Sequence, residues 1–127
     1  MSRIGFLLVM FIAIATTTGA AFMLYRNELG RLRDAVSRGS LVANLDIGPI
    51  EYADSGVGIP LLSIHGAGGG FDQGLALAAD LVGEGFRVIA PSRFGYLRTP
   101  VPRDPSPAAQ GDAHAALLSK LNVPKAV

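Results

Sequence analysis

The stretch Leu61-Leu62-Ser63-Ile64-His65-Gly66-Ala67-Gly68-Gly69-Gly70-Phe71-Asp72-Gln73-Gly74 constrains the fold of this chain more than any other. Residues 61–64, opened by Pro60, form a short apolar run of the kind that makes a buried strand. The glycine cluster that follows would be tolerated by no regular element. A helical pattern starts directly after it. Strand, glycine loop and helix in that order is the layout of an α/β ligand or catalytic site, so the loop is where function is expected.

What surrounds the loop is limited by length. The chain has 127 residues, enough for one modest domain. Half of its residues are hydrophobic, but a large share of these lie in an uncharged run over residues 4–25. As a helix that run spans about 33 Å, enough for a bilayer core. It is apolar on every face, which argues against a core helix. A cleavable signal peptide competes with a membrane anchor: Arg3 is the basic start and Thr18-Gly19-Ala20 a small-residue cleavage site. Apolar residues resume beyond that site with Ala21-Phe22-Met23-Leu24-Tyr25, which a cleaved signal does not need, so an uncleaved single-pass anchor over 1–25, in contact with membrane lipid, is favoured. Arg26, Arg31, Arg33 and Arg38 follow the run against Arg3 before it. Their excess argues for a cytoplasmic C-terminal part, whereas a signal-type anchor places it outside, and the side stays open.

Residues 26–40 read as a juxtamembrane helix and linker ending near Gly39, a solvated spacer more than a lipid-binding patch because Glu28 and Asp34 dilute the arginines. Residues 41–127 read as a partial α/β domain of about four strands and two helices. Alternation predicts strands over 41–47 and 50–53, broken by Gly48-Pro49 and closed by an Asp54-Ser55-Gly56 turn. After the loop, Leu75, Ala78, Ala79 and Val82 fall at helical spacing, with Gly85 as terminator. Residues 86–90 form the next strand, and strand, helix, strand with short joints predicts a right-handed unit with parallel strands. Ser106-Pro107 is an N-cap followed by proline at the first helical position, starting a helix to about Leu121 that buries Ala113, Leu117 and Leu121. Lys125-Ala126-Val127 reads as the opening of a further strand.

Composition excludes several function classes. Eleven basic against ten acidic residues give a net charge of +1, which makes no electrostatic case for nucleic acid. The absence of cysteine removes disulfides and thiolate chemistry. His65 and His114 are too few to suggest a metal cluster, so no metal is expected. Nor do the glycines fit a phosphate site. Starting G-x-G-x-x-G at Gly66 puts Phe71 at the third position, and starting at Gly68 puts Gln73 there. A P-loop from Gly69 to Gly74 meets Leu75 where lysine is required. A nucleotide-binding domain is accordingly a distant alternative.

Acyl transfer fits better, because backbone N–H groups must approach a developing oxyanion and only small residues allow that. Leu62-Ser63-Ile64-His65-Gly66-Ala67-Gly68-Gly69 resembles the loop after the third strand of the α/β-hydrolase superfamily. The likeness runs through Asp72-Gln73-Gly74, the following helix, Val88-Ile89-Ala90-Pro91 and the Arg93-Phe94-Gly95-Tyr96 turn, covering about residues 45–127. It implies an oxyanion loop of His65, Gly66, Ala67 and Gly68, in which Ala67 donates one N–H and His65 shapes the loop without acting as the base. It also implies a small-molecule ester or related acyl or C–C substrate, a serine nucleophile and no cofactor. Pro91-Ser92 stands where the family usually has aspartate after the strand. Gly68 replaces the proline of dehalogenase-like and epoxide-hydrolase-like members, which makes those chemistries less expected.

The nucleophile of this family lies in G-x-S-x-G after the fifth strand, which is only opening at Ala126. None of Ser37, Ser40, Ser55, Ser63, Ser92, Ser106 or Ser119 has glycines at both flanking positions, and none has lysine three residues on. His114, among alanines in a helix, reads as a surface residue. Asp72 reads as a helix N-cap and Asp112 as solvated. The expectation is a membrane-anchored N-terminal portion of an α/β hydrolase without nucleophile, acid or base, inactive as an isolated chain. Its residue 61–64 strand, lying in the family between the fourth and fifth, would be an open apolar edge. Roughly eighty soluble residues bury little core, so marginal stability is expected. The alternative is a non-catalytic membrane-tethered module that pairs with a partner through that edge.

Overall fold

Helix α1 (Arg3–Val36) buries none of its residues. The computed structural model describes residues 2–127 and divides into two units, the first ending at Val36 and the second being Ser37–Val127. By length and composition α1 is sufficient to cross a membrane. Two of its hydroxyls need no outside partner: Thr16 Oγ1 donates to Ile12 O at 2.9 Å and Thr17 Oγ1 to Ala13 O at 2.7 Å, which reduces the cost of carrying them in an apolar run. The helix stops at Val36, and Gly39 follows with φ +99°. The expected anchor and juxtamembrane segments are thus one continuous helix up to Val36.

The second unit is a four-stranded sheet with one helix on each face. β1 (Leu41–Leu45) and β2 (Gly48–Gly56) form an antiparallel hairpin around Asp46-Ile47. β3 (Ile59–Leu62) leads through the glycine loop into α2 (Phe71–Leu81). β4 (Phe86–Pro91) follows, and α3 (Pro107–Lys120) closes the unit. The order is β1-β2-β4-β3. β4 pairs antiparallel with β2 and parallel with β3, as the strand–helix–strand pattern requires.

Two sequence expectations fail here for one reason: a cross-strand partner overrides a local turn signal. Gly48-Pro49 does not break the hairpin but starts β2, where proline lacks nothing because its stretch pairs only with β1. Asp54-Ser55-Gly56 is not a turn. It extends β2 along β4, and Arg87 holds the Asp54 carboxylate through Nε and Nη2 at 2.9 and 2.6 Å. The chain turns instead at Val57-Gly58. β3 accordingly begins at Ile59, two residues early, and Ser63 and Ile64 fall outside it.

The core forms two clusters, one on each face. Ile50, Tyr52 and Ile89 pack with Ala113, Leu117 and Val123 under α3, while Ala53 and Ala90 pack with Phe71 of α2. The alternation of strand side chains makes this sorting automatic. α2 differs from expectation: Phe71, Gly74 and Ala78 are its buried residues, Ala79 is exposed, and the helix ends with Val82 as its cap, a turn before Gly85. The contact stripe is therefore one turn earlier. Gly74 is what lets the helix close on the sheet, since a Cβ there would lie 2.8 Å from Ser63 O and 3.1 Å from Ala90 Cβ. α3 follows expectation, with Ser106 Oγ accepting from Ala109 N at 3.2 Å at its start. Beyond it, Val127 N donates to Pro60 O and Leu62 N to Val127 O, both at 2.9 Å, so the last residue lies along the outer edge of β3.

Candidate oxyanion loop

Residues 63–70 join β3 to α2 in irregular backbone, and each anchor of this loop can be traced to a side chain. His65 is buried. Its Nε2 accepts from Arg93 N at 2.9 Å, and its Nδ1 lies 2.8 Å from Gly66 O. A ring nitrogen that accepts carries no proton, so the proton is on Nδ1 and donates to Gly66 O. Burial pushes the imidazole below its ordinary value, and the Arg93 charge adds to this, against the Gly66 bond and Asp72. Tyr96 packs edge-on against the ring at 4.7 Å, and its hydroxyl donates to Ala67 O at 3.2 Å. With both nitrogens occupied by backbone, His65 holds the loop's shape and has no free position from which to act as a base.

At the other end the loop enters α2. Gly70 is the N-cap residue and offers no side-chain acceptor. Asp72, expected as the cap, stands inside the first turn instead: its Oδ1 accepts from Gly70 N at 2.9 Å. The Phe71 N–H is taken by Ser92 Oγ at 3.0 Å. A Cβ on Gly70 would overlap the Leu97 side chain and approach Ser92 Oγ to 2.9 Å, so the fold itself demands glycine there. Gly66 and Gly68 are different. A Cβ on either would meet only the Gln73 side chain, at 3.7 and 3.4 Å, and neither has positive φ. Gly66 N donates to Gln73 Oε1 at 2.9 Å. Among the described residues no acceptor takes the N–H of Ala67, which is exposed with Gly66 and Gly68.

Behind the loop lies a buried carboxylate that the sequence reading passed over. Glu51 of β2 is fully buried. Its Oε1 accepts from Ser40 Oγ and Arg98 Nε, both at 2.7 Å; its Oε2 accepts from Arg98 N at 2.9 Å and Ser92 Oγ at 3.3 Å. Its own N–H donates to Thr99 Oγ1 at 2.9 Å. Burial raises the carboxyl, but the bonds from Arg98 and Ser40 outweigh it and hold the group below the usual carboxylate range. Ser92, standing where aspartate was expected, thus links this carboxylate to the first turn of α2. An acid alternating with Ile50 and Tyr52 reads as a solvent-facing residue, which is why it was missed.

His114 also departs from expectation, being buried and not on the surface. α3 turns it toward the Arg93-Phe94 turn: Gln110 Oε1 accepts from Phe94 N at 2.8 Å while Gln110 Nε2 lies 3.0 Å from His114 Nε2. Burial, with Arg93 and His65 nearby, lowers its pKa. Asp112 is exposed, as expected. No group of three or more metal-ligating side chains occurs among the described residues.

Comparison with solved structures agrees with this fold. An α/β-hydrolase fold protein from Nakamurella multipartita superposes with a TM-score of 0.61 at 37% identity over 66% of this chain. The second unit carries the N-terminal part of an α/β-hydrolase fold. An N-acyl homoserine lactonase, AidH, solved with N-butanoyl homoserine, matches at TM-score 0.58 and 30% identity over 69% of this chain. TT1977, at 19% identity and TM-score 0.52, shares the fold alone. The chain spans 29% of the Nakamurella hydrolase and 34% of the lactonase, about a third of each. No protein-family profile matches the sequence, and no curated protein does.

Proposed function

We propose that this hydrolase-fold unit supplies the oxyanion side of an acyl-hydrolase site and that α1 holds it to a membrane in a single pass. The observation that carries the reading is the exposed Ala67 N–H, which has no internal acceptor although the Gly66 N–H and the Gly66 and Ala67 carbonyls around it are held by side chains. A donor fixed in this way stabilises charge developing on a substrate carbonyl oxygen without having to reorganise. One such donor is worth about 3–4 kcal/mol of barrier. A Cβ on Gly66 or Gly68 would point toward Gln73 at ordinary contact distance, so packing alone does not require glycine at either position.

The substrate class is an ester or related acyl bond, a C–C bond being the less direct alternative; the lactonase among the similar structures supports the ester reading. Oxyanion donation alone does not break such a bond. No serine of these 127 residues stands between glycines, and His65 and Glu51 are both occupied within the fold. The 127-residue chain therefore carries no nucleophile. The purified chain, incubated with a fluorophosphonate probe and analysed by intact mass, should gain no adduct and should not hydrolyse p-nitrophenyl butyrate. A serine adduct that forms in the folded chain but not in chain denatured before the probe is added would overturn this.

A further inference from the structure

The inside of the glycine loop is filled by one side chain, Gln73. Its Oε1 accepts from Gly66 N at 2.9 Å. The Cβ directions of Gly66, Gly68 and Gly69 all meet this residue, and at Gly69 the approach to Gln73 Cβ would be 2.6 Å. Gln73 is the third residue of α2, a position from which Glu or Gln ordinarily reaches back to the N-cap's own N–H. Here Asp72 takes that N–H. Gln73 is thereby left to reach past the cap to Gly66, and the loop winds around it.

We infer that Gln73 is the positioning residue of the oxyanion loop. Its amide oxygen takes the Gly66 N–H, which leaves the next N–H, that of Ala67, as the outward donor, and its neutrality keeps the floor beneath that donor uncharged. The inference rests on the oxyanion reading above and deepens it. Charge is what separates glutamine from its isostere. A carboxylate at the same place would accept from Gly66 N at least as well, yet its negative charge would oppose any anion bound at Ala67 a few ångströms away.

The test uses the full 15N-labelled chain in detergent micelles at pH 7, with butyrate as the anionic probe. In the unsubstituted chain the Gly66 amide should be protected from exchange, and butyrate should shift the Ala67 amide. In Gln73→Ala, Gly66 protection should fall at least tenfold while Ile89 and Ala90 in β4 keep theirs. In Gln73→Glu, Gly66 protection should return while the Ala67 response to butyrate is lost. Unchanged Gly66 protection in Gln73→Ala, or an undiminished butyrate response in Gln73→Glu, overturns the positioning role. If Gln73→Ala loses the β4 protection and does not fold, the Gln73→Glu result decides alone. An Ala67 amide that ignores butyrate in the unsubstituted chain overturns the oxyanion reading, whereas loss of Gly66 protection in Gln73→Ala would still establish Gln73 as the support of the loop.

Discussion

Replacing Glu51 by glutamine tests whether the second unit is held together by its buried carboxylate. Glu51 is 0% exposed and its partner Arg98 is 43% exposed, so the two ends of the pair respond differently to the loss of charge. Arg98 can regain water and recovers part of what it loses. The groups facing Glu51 from inside cannot. A glutamine presents one oxygen and one NH2, so one of the two carboxylate positions turns from acceptor to donor. Either the Arg98 N–H or the Arg98 Nε–H then faces another donor. Losing a charge-assisted hydrogen bond costs about 1.5–3 kcal/mol, and orphaning a buried donor about 1–3 kcal/mol. Allowing for the hydration of Arg98, Glu51→Gln should cost about 2–4 kcal/mol. At roughly 4–8 °C per kcal/mol for a unit of this size, the midpoint should drop by about 8–32 °C. Near-ultraviolet circular dichroism, in which the buried Tyr52 changes surroundings while Tyr25 of α1 is already exposed, reports the transition without the far-ultraviolet helix signal of α1. The control is Arg87→Ala, which removes a pair of equally short bonds from a more solvated surface position and should cost no more than about 1 kcal/mol. If the two variants melt together, the reasoning from burial is wrong.

Two further outcomes follow from the same structure. Burial holds the folded pKa values of His65 and His114 below the ordinary 6.5, so between the two values the unfolded chain binds more protons than the folded one. Stability is then complete above pH 6.5 and falls as pH drops below it, by up to about 1.4 kcal/mol per pH unit for each histidine. The depressed Glu51 adds a further loss as pH falls below its ordinary 4.5. Urea titrations at pH 7.5, 6 and 5 should show this decline, and a flat profile would refute it. If α1 is an anchor, expressed protein should remain in the pellet after alkaline carbonate washing of membranes, while a variant lacking residues 2–25 should be released. Release of both would exclude the anchor.

The elements whose existence was legible in the sequence are those fixed by period and punctuation. The parallel strands flanking α2 follow from strand, loop and helix spacing, and α3 from Ser106-Pro107. Boundaries were misread where long-range pairing decides them. Asp54-Ser55-Gly56 has the composition of a turn but is drawn into the sheet by the register with Ile89, Val88 and Arg87. The loop at His65–Gly68 was legible because glycines advertise themselves. Glu51 and His114 were not, because both are polar residues whose burial depends on partners far off in sequence: Arg98 and Ser92 for one, the Arg93-Phe94 turn for the other. Gln73 was passed over for a related reason, since its partner Gly66 lies on the far side of a loop whose course no local pattern sets.

The sequence separations within the Glu51 network impose an order on folding. Ser40 precedes the carboxylate by 11 residues, but Ser92 and Arg98 follow it by 41 and 47. A nascent β1–β2 hairpin must keep Glu51 hydrated, because the guanidinium and backbone N–H of Arg98 do not yet exist on the chain. Covering β2 with α2 before Arg98 arrives would strand an unpaired charge, at a cost no early packing could offset. The hairpin therefore waits, and burial of the sheet becomes a single late event with high contact order. A charge placed in the middle of β2 acts in this way as a timing device that discourages premature collapse around an incomplete sheet.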